Sequence, residues 1–296
     1  RVGPFRGLTR GRFMPSQALS PSPDTAMADA LDLDAYLERL RWSGPLRNDL
    51  ETLAGLQRAH MRAIPFENLD VLLGRKPRLD LPALQRKLVG ERRGGYCFEH
   101  VTLFAAVLER LGFQPRRHAA RVVLFVPATS APRTHAFLSV TLDQGRFVVD
   151  PGFGALSPSM PVPLLDPGTT APEDVSHWMA RDGGRWVLRV RADGKPAVDA
   201  WVSALDDEHP VDYELANHYT ATHPDSPFVN RLMLRALTDG GRVTLMNRDA
   251  TVWGADGPRA TRLADRQALR ALLAEHFGFD LPEVETLRIP AIPEWT

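Results

Sequence analysis

The hydrophobic period of the chain changes near residue 115, and that change limits the fold more than any other feature. From Met27 to about residue 115, apolar residues recur every three or four positions. From about 116 to 216 the apolar residues come in short β-branched and aromatic runs. In the first part, "LDAYLERL" follows Asp32 as a cap, and "DLPALQRKLV" has Asp80 as cap with Pro82 in the first turn. "NDLETLAGLQRAHMRAI" places Asn48 and Glu51 at capping-box spacing before a stripe of Leu50, Leu53, Leu56, Met61 and Ile64. A fourth helix carries Cys97, Val101, Phe104, Leu108 and Leu111 on one face, and Gly112 stops it. In the second part, "ARVVLFV", "THAFLSVTL", "RFVVD" and "RWVLRV" read as strands separated by Asp143-Gln144-Gly145, Asp182-Gly183-Gly184 and a Pro-rich loop at 158–172. The last 80 residues mix both: "RLMLRAL" and "GRVTLMN" flank Asp239-Gly240-Gly241, then a helix runs from Asp265 to Gly278. The expected architecture is an α+β multidomain chain: a helical bundle at 27–115, a β-barrel at 116–216 and an α/β segment at 217–296.

Composition removes several alternatives. The 36 basic and 36 acidic residues cancel, which gives no basis for a nucleic-acid or anionic-membrane partner. A single cysteine excludes an intramolecular disulfide, and without CxxC or HExxH no metal site is expected. No run of 18 apolar residues exists, so no membrane span is expected and the cytoplasm is the default compartment. Residues 1–26 are rich in Arg, Ser and Pro and poor in acids; they read as a disordered extension ahead of Met27.

Cys97 in "RRGGYCFEH" is either a small buried hydrophobe or a nucleophile. Its place at a helix start favours an anion by roughly 0.3–1 kcal/mol, less than one pKa unit, so a thiolate needs a cationic histidine as well. Gly94 and Gly95 permit a sharp turn and close approach just before it. His100 is one turn along the same helix, within approach of the thiol. His135 opens an alternating strand, and the next strand ends in "VVDPGFG" with Asp150. A Cys97-His135-Asp150 triad fits these positions. A tight turn at Gln144-Gly145, however, leaves His135 and Asp150 four residues out of register, on the order of 13 Å. A bulge, a strong twist or a different turn has to close that gap.

The chain resembles the arylamine N-acetyltransferases from about Tyr36 onward. "IPFENLDVLLGR", "RRGGYCFEH", "THAFLSV", "VDPGFG" and "YTATHPDSPFVN" occur in family order. The resemblance implies a helical bundle, a β-barrel and an α/β lid around a cysteine-proteinase-like core. It also implies ping-pong N-acetylation of arylamines, arylhydrazines or arylhydroxylamines in xenobiotic metabolism. Acetyl-CoA would be the donor substrate, with no tightly bound cofactor, and acetyl-Cys97 the intermediate. His135 would be base and then acid, and Asp150 would orient it. Further roles implied are Thr134, Gly152 and Gly154 at CoA, Phe66, Phe153 and Phe228 at the acceptor, and a buried pairing of Glu67 with Arg92, joined by Arg39, as structural support. Two departures stand out: Val101 replaces a usual Asn, and Pro151 follows the acid. An amide synthase of the same fold, closing a macrolactam, and a cysteine hydrolase use the same residues. The sequence leaves the preferred amine, the acyl range and the oligomeric state open.

Overall fold

The computed structural model describes residues 31–167, 176–191 and 196–295. The leader at 1–26 and part of the Pro-rich stretch lie outside them. Helix α1 (Leu33–Arg39) begins where Asp32 accepts from the Ala35 N–H, as expected. Helix α2 (Leu50–Ala63) is capped by Asp49, whose side chain accepts from the Thr52 N–H. Asn48 instead donates to the Gly112 carbonyl and ties α2 to the far end of the cysteine helix. A two-residue strand, β1 (Phe66–Glu67), and a short helix, α3 (Leu69–Leu72), follow. Helix α4 (Leu81–Leu84) starts at Asp80 and continues as a wider turn over Gln85–Gly90. Helix α5 (Cys97–Arg110) then runs to Gly112, which has φ +85°. Its stripe of Cys97, Val101, Phe104 and Leu108 is at most 2 % exposed. Each such large apolar side chain stabilises the fold by about 1.5–3 kcal/mol relative to exposure.

Seven strands follow in the middle of the chain: β2 (Arg116–Val122), β3 (Arg133–Leu142), β4 (Gly145–Val149), β5 (Val162–Pro163), β6 (His177–Asp182), β7 (Arg185–Val190) and β8 (Val198–Ser203). Their order is β5-β4-β3-β2-β8-β7-β6, and the end strands β5 and β6 lie against each other, so the antiparallel sheet curls into a nearly closed barrel. Its interior packs around Phe137 and Trp201. The strand pattern ends earlier than expected, because Pro210 at the first helical position opens α6 (Pro210–Thr222).

After a short helix, α7 (Pro227–Asn230), come β9 (Met233–Thr238), β10 (Gly241–Met246), β11 (Asp249–Gly254) and β12 (Gly257–Arg262). These antiparallel strands form a second sheet with β1 at its edge, so the helical region lends a strand to the C-terminal one. Helix α8 (Arg266–Leu272), capped by Asp265, packs in that region's core and its continuation ends at Gly278.

A chain of three buried polar side chains joins the first helices. Tyr36 Oη lies 2.8 Å from His60 Nδ1, and His60 Nε2 lies 2.8 Å from His100 Nδ1. His100 Nε2 meets the carbonyl oxygens of Pro65 and Gly95 at 3.2 and 3.1 Å. Carbonyls only accept, so His100 Nε2 carries the proton, His60 Nε2 donates to His100, and Tyr36 donates to His60. Both rings are therefore neutral and fully committed. Burial lowers both pKa values, His60 well below its usual value and His100 to about 4, where carbonyl hydrogen bonds to the ring only partly oppose burial.

A histidine held below its ordinary pKa contributes stability above about pH 6.5 and loses it as pH falls through the folded value. For His100 the loss is on the order of 3 kcal/mol between pH 6.5 and 4. Other buried groups titrate in that window, so the expected readout is a difference. The stability advantage of the native protein over His100→Gln, from urea unfolding, should shrink by about that amount as pH falls.

Candidate active site

The loop before Cys97 is held by close backbone contact. The Glu67 N–H donates to the Gly95 carbonyl at 2.9 Å, and the Gly95 N–H to the Pro65 carbonyl at 3.2 Å. A Cβ on Gly94 would stand 2.1 Å from the Pro65 carbonyl oxygen, so only glycine permits the approach. At the helix start, the Glu99 carboxylate accepts the Tyr96 N–H at 3.1 Å.

Beneath the loop is a buried cluster of charges. Arg93 donates to Glu67 at 2.6 Å and to Asp70 at 2.9 Å. Lys87 lies 2.7 Å from both Asp70 and Glu99. Burial raises the Glu99 pKa to about 7, against the pull of Lys87 and with the help of Glu67. The partner of Glu67 is thus Arg93, not Arg92. Arg92 is exposed, with φ +56°, while the next side chain turns inward. Arg39 does not join the cluster either: it donates to the carbonyls of Leu88 and Arg92. All three arginines are near the loop, and side-chain direction decides which one meets the acid.

His135 and Asp150 are brought together by the turn. Leu142 pairs with Gly145 and Leu138 with Val149, so the turn is Asp143-Gln144. Continuing that register, Asp150 falls level with Phe137, two residues from His135 and on the same face, or about 7 Å of strand rise. The expected four-residue offset is halved because the turn is placed one residue earlier. A bulge at Thr134, where β3 carries an extra residue against β2, adds a local bend beside His135. His135 Nε2 donates to Asp150 Oδ2 at 2.8 Å, with the two side chains 3 % and 0 % exposed. The Trp201 indole N–H donates to the same oxygen at 3.0 Å, and Oδ1 has no partner among the described residues. Trp201 escaped the sequence reading. Its signal was a tryptophan on a strand, whose N–H needs an acceptor once buried.

The thiol of Cys97 points at the Thr134 carbonyl oxygen, 3.7 Å away, one residue before His135. Burial opposes charge on His135. The charge and hydrogen bond of Asp150, then the hydrogen bond and charge of Cys97, outweigh it and raise the imidazole to about 10. His100, one turn along the same helix, has both nitrogens engaged elsewhere. Val101 is wholly buried in the helical core.

The remaining candidates separate. Gly152 is so close that a Cβ there would be 2.7 Å from Cys97 Cα, and Gly154 backs onto the Phe66 ring. Both are buried, whereas Thr134 lines an open cleft with Arg133, Asp212, Leu215 and Tyr219. Phe66, Phe153 and Phe228 are each partly exposed rather than sealed in a core. Phe66 lies 6.3 Å from Phe228, centroid to centroid, and Phe153 lies 4.7 Å from His135. Among the described residues no His, Cys, Asp or Glu group is arranged to hold a metal ion, and no helix is long and apolar enough to cross a membrane.

Comparison with known proteins fixes the class first: residues 49–286 match the family model described as N-acetyltransferase. The chain is 40 % identical to an arylamine N-acetyltransferase of Mycobacterium tuberculosis over 86 % of its own length and 92 % of the relative's. It is 34 % identical to the arylamine N-acetyltransferase / N-hydroxyarylamine O-acetyltransferase of Salmonella typhimurium, over 86 % and 90 %. The structure of the Mycobacterium marinum arylamine N-acetyltransferase in complex with CoA superposes with a TM-score of 0.79 at 35 % identity, covering 86 % of this chain and 94 % of that one. The chain belongs to the arylamine N-acetyltransferase family.

Two outcomes follow from this geometry. Arg93→Met leaves two buried carboxylates short of a cation and is expected to cost at least about 3 kcal/mol in urea unfolding, whereas Arg92→Met changes little. Asp150→Asn removes the charge that outweighs burial, so the His135 pKa falls. Alkylation of Cys97 by iodoacetamide should persist well below pH 7 in the native protein. In the Asn variant that low-pH alkylation should be lost.

Proposed function

We propose that the protein transfers an acetyl group from acetyl-CoA to arylamines, arylhydrazines or arylhydroxylamines through acetyl-Cys97. The observation that carries this reading is His135, buried yet held protonated by Asp150 beside the thiol of a helix-start cysteine. An imidazolium and a helix N-terminus both favour a thiolate. The thiolate attacks the thioester carbonyl, the C–S bond to CoA breaks, and the departing sulfur takes a proton from His135. An arylamine, uncharged at neutral pH, then attacks the acetyl carbon. Neutral His135 accepts the N–H proton, the bond to Cys97 Sγ breaks, and the imidazolium–thiolate pair is restored.

Asp150 holds the ring so that Nε2 faces the carboxylate and leaves Nδ1 for the sulfur. Thr134, on the open cleft, is the assigned contact for the donor, and Gly152 and Gly154 form the wall behind the thiol. Phe66, Phe153 and Phe228 present partly exposed rings for the acceptor. Glu67, with Arg93 rather than Arg92, supports the cysteine loop from beneath. The family membership and the likeness to a relative solved with CoA support the donor and acceptor classes.

Acetyl-CoA alone should add one acetyl group to the native protein, located on Cys97 by peptide mass spectrometry and missing from Cys97→Ala. An arylamine should discharge the adduct far faster than buffer does. CoA release that does not depend on amine would show a hydrolase instead and defeat the transferase reading.

A further inference from the structure

Helix α6 holds the residues on both sides of Cys97. Tyr96 and Phe98 flank the cysteine, and both are wholly buried. The Tyr96 hydroxyl donates to the Asn217 side-chain oxygen, and the Asn217 amide donates to the Pro77 carbonyl at 2.9 Å. One turn earlier on α6, the Tyr213 ring stands edge-on to the Phe98 ring, with 5.6 Å between centroids. Positions 213 and 217 share a face of the helix, and each is 2 % exposed. Burial holds both phenols well above the usual tyrosine pKa, so each keeps the proton it donates.

The same helix holds the strand of His135. The Tyr213 hydroxyl donates to the His118 carbonyl at 2.9 Å and reaches the Phe137 carbonyl at 3.3 Å. Those two residues are register partners on β2 and β3. Phe137 is two residues from His135, and its ring lies nearly parallel to the imidazole at 6.3 Å. Tyr213 therefore touches a neighbour of Cys97 with its ring and the backbone of the His135 strand with its hydroxyl. The cleft that Thr134 lines meets other residues of α6, Asp212, Leu215, Ala216 and Tyr219. Plain packing at 213 and 217 would be served by apolar side chains. A buried amide and a buried phenol cost free energy unless paired, and once paired they fix direction as well as distance. A thiol and an imidazole carried by different elements need that precision, because a misplacement of about 1 Å can cost on the order of a hundredfold in rate.

We propose that Tyr213 and Asn217 are positioning residues for acetyl transfer: through Tyr96, Phe98 and the Phe137 carbonyl, α6 sets the Cys97 thiol against the His135 ring. The proposal rests on the acetyl-transfer reading above.

Tyr213→Phe and Tyr96→Phe keep the rings and delete only the hydroxyls, and urea unfolding shows whether each variant is folded. In each, saturating acetyl-CoA should acetylate Cys97 roughly ten- to thirtyfold more slowly than in the native protein. The half-saturating concentration of acetyl-CoA should not change, since neither side chain lines the cleft. Iodoacetamide alkylation of Cys97 at pH 6 should slow by a similar factor, because the same placement holds the thiolate. Asn217→Ala should slow both reactions as Tyr96→Phe does. The double variant should be no slower than Asn217→Ala alone, since the two side chains act through one hydrogen bond. Effects of Tyr96→Phe and Asn217→Ala that multiply would overturn the proposal. So would lower urea midpoints with native acetylation rates and a native alkylation profile, which would make α6 a packing element and leave the transferase reading standing. If the variants slow alkylation while acetyl-CoA leaves no adduct even on the native protein, the positioning role stands and the transferase reading fails.

Discussion

A single hydrogen atom lets the barrel rest on the cysteine helix. Gly152 follows the last residues of β4, and its Cα is packed on the backbone of Cys97 so closely that a methyl group would collide with Cα and crowd O and Cβ. Neither side of this contact is a flexible tip, so neither can give way cheaply. From it the rest of the site follows. Asp150 is two residues upstream and meets His135, Phe153 is one residue downstream and packs on the same ring, and Gly154 reaches Phe66 and Arg235. Five consecutive residues thus touch elements from the helical, barrel and C-terminal parts of the chain.

The charge beneath the loop is arranged to balance. Glu67, Asp70 and Glu99 face Lys87 and Arg93, and Asp70 also lies 3.7 Å from the exposed Arg75. With Glu99 raised to about 7, that carboxyl is half protonated near neutrality, so the three acids and the three cations around them nearly cancel. The cluster therefore supports the loop without placing a large net charge under the thiol. Breaking one of its members exposes the full desolvation cost of the others, which is why such a cluster fixes geometry more than it adds stability.

Local rules carried much of the fold. Asp32, Asp80 and Asp265 cap helices where a carboxylate precedes an apolar-periodic run, and Gly112 and Gly278 end them, because these effects depend on residues within one turn. Asp49 displaced Asn48 as a cap because two adjacent residues can each do that work, and a distant carbonyl, Gly112, claimed Asn48. Strand β1 was invisible because two residues carry no period; its partner, β9, is about 170 positions away. Cys97, His135 and Asp150 were legible as candidates, but the meeting of His135 with Asp150 was not. It depended on whether the β3–β4 turn used Asp143-Gln144 or the next pair, and both contain acceptable turn residues. Arg92 and Arg93 differ in no property that a sequence displays; one positive φ decides which side chain goes in.

The histidines show why charge state is a tertiary property. His60, His100 and His135 are all nearly sealed from water. Burial pushes each of them toward the neutral ring. For His60 and His100 the neighbours are a phenol, another imidazole and two carbonyls, and none bears a negative charge. Burial therefore wins, and the two rings become fixed, neutral spacers that hold the cysteine loop by its carbonyls. For His135 the neighbour is a carboxylate at 2.8 Å whose donors among the described residues are that ring and one indole. There the ionic partner wins and the ring keeps its proton. The same side chain at the same depth thus becomes a neutral strut or a charged ring according to one contact, and His100, although closer to Cys97 in sequence, has both nitrogens committed elsewhere.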